Sequence, residues 1–204
     1  LFPVGELEKS EVRALASEND FKIATKKDSR GICFIGERRF SDFLSKYLKK
    51  NLGPIKNPEG EVIGEHQGLM FHTIGQRQGM RIGGLKNAGR APWYVADKDM
   101  PSNTLWACQG NDHPALFATA LQTRDIFWIA GTAPRASIRC SAKIRYRQTD
   151  QQCMVMANDT GYFIQFDEPQ RAITPGQSVV LYRDNECLGG GVIATVLDRL
   201  ETLA

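Results

Sequence analysis

The ten residues Ile138-Arg-Cys-Ser-Ala-Lys-Ile-Arg-Tyr-Arg147 decide the class of fold. Even positions Ile138, Cys140, Ala142, Ile144 and Tyr146 are apolar or aromatic, while Arg139, Lys143, Arg145 and Arg147 occupy odd ones. Successive side chains of a strand leave on opposite sides, so this alternation predicts a strand with one face in a core. At the usual rise of about 3.3 Å per residue, its outer face would carry four cations along roughly 25 Å, a layout suited to a phosphate backbone. An ordinary solvated strand face is the alternative.

Further strands are expected near residues 125–129, 153–157, 162–166, 178–182 and 190–195, so this part of the chain is all-β. Turn signals at Asn158-Asp159, Thr174-Pro175-Gly176 and Asp184-Asn185 separate them at intervals typical of a barrel or sandwich. A C-terminal β-barrel domain is therefore expected over residues 116–204, with no usable pattern after Val196. Upstream of His113-Pro114, glycines 60, 64, 68, 75, 79, 83 and 84 punctuate short apolar runs such as Val62-Ile63 and Leu69-Met70-Phe71. They predict a small β-rich central domain over residues 41–115, with strands at 93–96 and 104–107 joined by a polar turn at 97–103.

Two helical stretches precede it. Ser10 is a candidate N-cap for a short helix whose Val12, Leu15 and Ala16 share a face. From Arg38 to Lys50, Phe40, Phe43, Leu44, Tyr47 and Leu48 form a core-facing stripe, which Asn51-Leu52-Gly53-Pro54 ends. The predicted fold class is mainly β with a short α-containing N-terminal segment, then a small β-rich central domain and a C-terminal β-barrel.

With 42% apolar and 24% charged residues the composition is that of a globular protein. No run approaches the roughly 18 consecutive apolar residues of a spanning helix, and the first residues resemble neither a signal nor a transit peptide, so no membrane partner and a cytoplasmic address are expected. The chain opens at Leu1 on a connection that leads straight into a helix, so an upstream segment is expected to precede it. Five cysteines, at 33, 108, 140, 153 and 187, are odd in number and form no C-x-x-C pair, against a disulfide framework and against zinc. The net charge is only +3, but Lys22 to Lys50 hold nine Lys and Arg against three acidic residues.

In that basic segment, Lys26-Lys-Asp-Ser-Arg-Gly-Ile-Cys-Phe-Ile-Gly-Glu-Arg38 sets Cys33 between glycines with cations on both sides. Nearby positive charge favours the thiolate, the reactive form, so Cys33 is a candidate nucleophile or sulfur carrier. The alternative is a packing cysteine in a short apolar strand, 32–35, with a solvated cationic rim. His66, His72, Gln76 and Arg77 lie in glycine-rich turns, where hydrogen bonds that fix the loops are expected in preference to a metal site. Trp93, Tyr94 and Trp106 offer stacking surfaces for bases or, at strand spacing, core packing.

Five runs together carry a resemblance: residues 26–38, Gly64-Glu-His-Gln-Gly-Leu-Met-Phe-His-Thr-Ile-Gly-Gln-Arg77, Pro92-Trp-Tyr-Val95, Arg145-Tyr-Arg-Gln148 and Thr174-Pro-Gly-Gln177. In this order, and over essentially the whole chain, the sequence resembles the bacterial tRNA-specific 2-thiouridylases. The resemblance implies an ATP-using sulfurtransferase that adenylates the C2 oxygen of the tRNA wobble uridine and replaces it with sulfur. It implies that Cys33 receives sulfur as a persulfide from a sulfur-relay protein, and that a second, upstream cysteine then assists release, forming a disulfide with Cys33. It also implies that Arg145, Tyr146 and Gln177 touch tRNA, joined by Arg139, Lys143 and Arg147 if the basic strand face is used.

The family's ATP-binding Ser-Gly-Gly-x-Asp-Ser run and its second cysteine belong to an amino-terminal domain and do not occur in these 204 residues. Residues 1–40 are accordingly expected to be a remnant of that catalytic domain, with no cofactor site and no metal of their own, and this stretch of chain alone is expected to be inactive. Two other classes remain open: a non-catalytic RNA-binding barrel module in which Cys33 only packs, and a protein-interaction β domain.

Overall fold

The computed structural model describes residues 3–26, 44–80, 82, 89, 91–200 and 203. The chain forms two compact units, residues 1–49 and 50–204.

In the first unit, α1 spans Lys9–Glu18. Its N-cap is Glu8, not Ser10: the Glu11 carboxylate accepts from the Glu8 N–H at 2.7 Å, and the Glu8 side chain caps in return. This reciprocal box satisfies two end groups of the helix, where a lone serine would satisfy one. At the other end, the Asn19 side-chain amide donates to the Leu15 carbonyl at 2.8 Å. No residue of α1 is buried, so the Val12, Leu15 and Ala16 face is uncovered in this unit. Of the second helix, residues 38–43 lie outside the described residues, as does Cys33. Tyr47 and Leu48, expected to face a core, are exposed.

The second unit begins with a four-stranded sheet. β1 (Gly53–Lys56), β2 (Val62–His66), β3 (Trp93–Asp99) and β4 (Thr104–Gln109) lie in the order β2-β1-β4-β3, with β1 parallel to β4 and the other pairs antiparallel. β4 is buried on both faces. Leu105 and Ala107 pack with Ile55, Leu69, Met80 and Val95, whereas Trp106 and Cys108 pack with Ala96, Ala115 and Leu116. Two-sided burial explains a strand that reads as a continuous apolar run. It also makes Trp106 a packing residue rather than a stacking surface. The run Leu69–Phe71 is a 3-10 turn, and β3 continues through Asp99, shortening the expected polar turn.

The rest is a barrel. β5 (Phe117–Thr123), β7 (Ile138–Lys143), β8 (Gln151–Asn158), β9 (Gly161–Arg171), β10 (Ser178–Arg183) and β11 (Glu186–Arg199) run in the order β10-β7-β8-β9-β5-β11, and β10–β11 pairing closes the ring. The two-residue β6, Phe127–Trp128, pairs on the outside of this order with β11. Leu121, Cys153, Ile164, Val179, Leu181 and Ile193 fill the interior, each no more than 1% exposed. Burial of each such aliphatic side chain contributes about 1.5–3 kcal/mol.

β11 pairs with β10 through its first half and β5 through its second. Its glycines let the segment 125–127 pass close by: a Cβ on Gly189 would stand 2.1 Å from the Phe127 carbonyl oxygen, and one on Gly191 2.1 Å from that of Asp125.

Two further expectations are corrected. The strand expected over 138–147 ends at Lys143, because the Gln148 side chain takes the Ile144 N–H and the Gln148 N–H bonds back to the Arg145 carbonyl, starting a turn. β11 continues to Arg199, past the point where the sequence offered a pattern.

Candidate nucleic-acid interface

The loops after β7 and after β9 lie at one end of the barrel, since β7 is antiparallel to both β8 and β10, and β8 is antiparallel to β9. Arg145, Tyr146 and Arg147 sit in the first loop and Gln177 in the second. One hydrogen-bond path joins them. Arg145 Nη2 donates to the Ala172 carbonyl at 2.8 Å and to Thr174 Oγ1 at 3.1 Å. The Thr174 carbonyl accepts the Gln177 N–H at 3.2 Å, and the Gln177 carbonyl accepts the Ile193 N–H at 2.8 Å. Two motifs 29 positions apart, Arg145-Tyr-Arg-Gln148 and Thr174-Pro-Gly-Gln177, thereby form one surface.

Each of these side chains is held differently. Arg145 is half-buried, and burial first, then the neighbouring Arg171 charge, lowers its pKa. It remains charged, but in a setting short of negative charge: neither Arg145 nor Arg171 has an acidic partner within ion-pair distance among the described residues. Tyr146 is 94% exposed, the most open of the large hydrophobic side chains among the described residues. Arg147 is also exposed. The Gln177 side chain is half-exposed and makes no hydrogen bond among the described residues.

Arg171 ties this end of the barrel to the four-stranded sheet. Its guanidinium lies 5.0 Å from the centre of the Tyr94 ring, and its Nε donates to the Asn111 carbonyl at 3.0 Å. Gly75 approaches the same place, where a Cβ would meet that of Ala172 at 2.7 Å, and its φ of +83° suits glycine. Ala172 itself has φ +56°, with its N–H bonded to the Leu116 carbonyl at 2.7 Å and its carbonyl to Arg145. Gly75 of the Gly64 to Arg77 motif thus packs against the loop that holds Arg145.

Arg139 and Lys143 remain on β7, but they do not form one free cationic row with Arg145 and Arg147. Arg139 is ion-paired with Asp167, and Lys143 with Asp150 at 2.9 Å. The Asp150 hydrogen bond holds the Lys143 ammonium above its usual pKa, and Lys143 also lies 5.2 Å from the centre of the Tyr182 ring. Arg145 turns in toward Ala172, and Arg147 leaves from the turn. Sequence periodicity carried no sign of the residues that hold Arg145, Ala172 and Thr174, because they come from a different loop.

Of the two histidines expected to fix loops, His66 does so by hydrogen bonds, whereas the buried His72 Nδ1 makes none among the described residues. His66 Nδ1 accepts the Gly68 N–H at 3.0 Å, which leaves Nε2 protonated to donate to the Asn103 carbonyl at 3.0 Å. His72 packs edge-on against it at 6.1 Å, and its pKa falls to about 4, through burial first and then the charges of His66 and Lys98. Among the described residues no group of three or more His, Cys, Asp or Glu side chains is placed to hold a metal ion, and no helix is long and apolar enough to cross a membrane.

Three family models match successive parts of the chain: "tRNA methyl transferase HUP domain" at residues 1–37, "tRNA methyl transferase PRC-barrel domain" at 41–109 and "Aminomethyltransferase beta-barrel domain" at 118–193. A HUP part, a small sheet and a β-barrel in this order define a class of multidomain tRNA-modification proteins. Among individual relatives, the chain is 61% identical over 193 residues to the tRNA-specific 2-thiouridylase MnmA of Pseudomonas fluorescens strain Pf0-1, covering 95% of this chain and 52% of that protein. It is 58% identical over 194 residues to the same-named protein of Francisella philomiragia, covering 95% of this chain and 54% of that one. The chain belongs to the tRNA-specific 2-thiouridylase family and spans about half the length of the relatives it matches.

Proposed function

We propose that this chain serves the 2-thiolation of the wobble uridine of tRNA, supplying the persulfide-bearing Cys33 and the tRNA-docking surfaces of a sulfurtransferase. The observation that carries the docking part is the convergence of Arg145, Tyr146 and Gln177 at one end of the barrel. A guanidinium in partly desolvated surroundings beside a second guanidinium gains from an arriving phosphate. An exposed tyrosine next to it offers a ring on which an unstacked base can lie, the usual mode for RNA loops. In this proposal residues 1–40 belong to the catalytic domain, 41–115 support the RNA and 116–204 form the docking barrel, with the protein acting in the cytoplasm.

The chemistry proposed for Cys33 is sulfur transfer. A relay protein's persulfide hands its outer sulfur to the Cys33 thiolate, giving Cys33–S–SH and a free donor thiol. A second cysteine of the longer family chain attacks the inner sulfur, forming a disulfide with Cys33 and releasing hydrosulfide. Hydrosulfide adds at C2 of the adenylated uridine, and AMP departs with the oxygen. ATP supplies that activation; its Ser-Gly-Gly-x-Asp-Ser run is absent from these 204 residues, so no step with ATP is assigned to a residue here.

The test is incubation of the 204-residue chain with a protein persulfide donor, then mass-spectrometric mapping of labile sulfur against Cys33→Ser. Sulfur confined to Cys33 is expected. Sulfur spread evenly over all five cysteines, or unchanged in Cys33→Ser, would remove Cys33 from this role.

A further inference from the structure

A chain of side-chain amides closes the loop between β7 and β8. The Ile144 N–H donates to Gln148 Oε1 at 2.9 Å, and Gln148 Nε2 donates to Gln170 Oε1 at 2.7 Å. Gln170 Nε2 donates onward to Gln151 Oε1 at 3.0 Å and to the Glu168 carbonyl at 2.9 Å. Gln151 Nε2 ends the chain on the carbonyl and hydroxyl of Thr149, both at 3.0 Å. The direction is forced from both ends, because a backbone N–H can only donate and a backbone carbonyl can only accept. Turning any one amide over would set donor against donor and acceptor against acceptor.

Gln170 is the middle member, on β9, and is only 3% exposed. A buried amide of this kind is held in place because leaving it unpaired is costly. Its two neighbours both follow the turn that carries Tyr146 and Arg147: Gln148 closes that turn and Gln151 opens β8. Within that turn the backbone contributes one hydrogen bond, Gln148 N–H to the Arg145 carbonyl at 3.2 Å. The tip is therefore shaped by the glutamine chain on one side and the Arg145 anchor on the other.

We propose that Gln170 is a positioning residue for RNA docking: through Gln148 and Gln151 it holds the 145–148 turn in its binding shape before tRNA arrives. This inference rests on the docking role proposed above. A surface that is already shaped loses less conformational freedom on binding, and affinity falls in proportion to the fraction of molecules in the competent shape. If release of the turn leaves about one molecule in ten competent, binding weakens about tenfold. The loss lies in the association rate, because fewer encounters meet a formed turn. Truncation of Tyr146 acts instead on dissociation, since it removes a contact made in the complex.

The experiment uses the 204-residue chain and an unmodified tRNA transcript, with association and dissociation rates measured for the wild type, Gln170→Met, Gln148→Met and Tyr146→Ala. Gln148 is half-buried in the loop and outside the barrel core, so its variant reports even if Gln170→Met fails to fold. Both glutamine variants are expected to associate about tenfold more slowly, with dissociation and salt dependence near wild type. If Tyr146→Ala weakens binding while folded glutamine variants associate like the wild type, the positioning role is wrong and the docking surface stands. If Tyr146→Ala also binds like the wild type, the docking surface is wrong and the positioning role falls with it. A glutamine variant that melts earlier but keeps its association rate marks the chain as structural only.

Discussion

Tyr146→Ala separates recognition from folding more cleanly than any other change at the barrel end. The side chain is 94% exposed, so its removal opens no cavity and breaks no internal contact, and stability should stay within about 0.5 kcal/mol of wild type. Stacking of a base on an aromatic ring is worth about 1–3 kcal/mol by alanine substitution, which corresponds to roughly 5- to 150-fold weaker tRNA binding. Tyr146 carries no charge, so the slope of log affinity against log salt should not move. Arg147, its exposed neighbour, supplies the contrast: Arg147→Ala should weaken binding modestly and reduce that slope by about 1, the signature of one lost phosphate contact. The assay is equilibrium tRNA binding over a series of salt concentrations, with thermal melting of each variant alongside. Wild-type affinity for Tyr146→Ala at every salt concentration would refute the stacking role, and an unchanged slope for Arg147→Ala would refute the phosphate contact.

Brief alkylation of the native chain at neutral pH should spare Cys108, Cys140 and Cys153, which are buried, and reach Cys187 first among the four described cysteines. Cys153 should be the slowest of these, because its hydrogen bond with Cys140, 3.9 Å away, and burial push its thiol far above the usual range; early labelling there would contradict the barrel packing. His72 gives a pH dependence. Its folded pKa is about 4 against 6.5 for the free side chain, so above pH 6.5 both states are neutral and nothing is lost. Between pH 6.5 and about 4 the unfolded chain binds a proton that the folded chain refuses, and stability should fall by roughly 1–3 kcal/mol in total. Urea unfolding of wild type and His72→Leu at pH 7 and at pH 4.5 checks this, and an equal drop in both would exclude His72 as the cause.

The legible parts of the fold were those governed by local pattern. The two-residue period marked β7 as far as Lys143, and continuous apolar runs marked β4. What escaped was decided at a distance. Nothing local to Ile144 says that its N–H will be taken by Gln148, so the expected strand ran four residues too far and placed Tyr146 in the core, where its period put it. The structure sets it in water. β5 was missed because Phe-Ala-Thr-Ala-Leu-Gln-Thr alternates small and polar residues weakly, and its strand geometry comes from β9 and β11 on either side. Gly53-Pro54 was expected only to end a helix, yet it opens β1, whose parallel partner lies some fifty residues onward at Leu105. At the candidate site, the motif residues Arg145, Tyr146 and Gln177 were legible through resemblance, but the partners that hold them were not. Cys33 lies outside the described residues, and the role proposed for it rests on the family resemblance.

The double pairing of β11 bears on how the chain is made. Glu186–Arg199 bridges β5 and β10, and among the described residues no other strand closes the ring. During synthesis, at about 5–20 residues per second, β5 and β10 must wait with unpaired backbone edges until these last strand residues emerge. Loss of Glu186–Arg199 after a proteolytic cut would recreate that state in the folded protein, exposing two sticky edges rather than one. Solubility after C-terminal nicking, rather than activity, should therefore be the first property to fail.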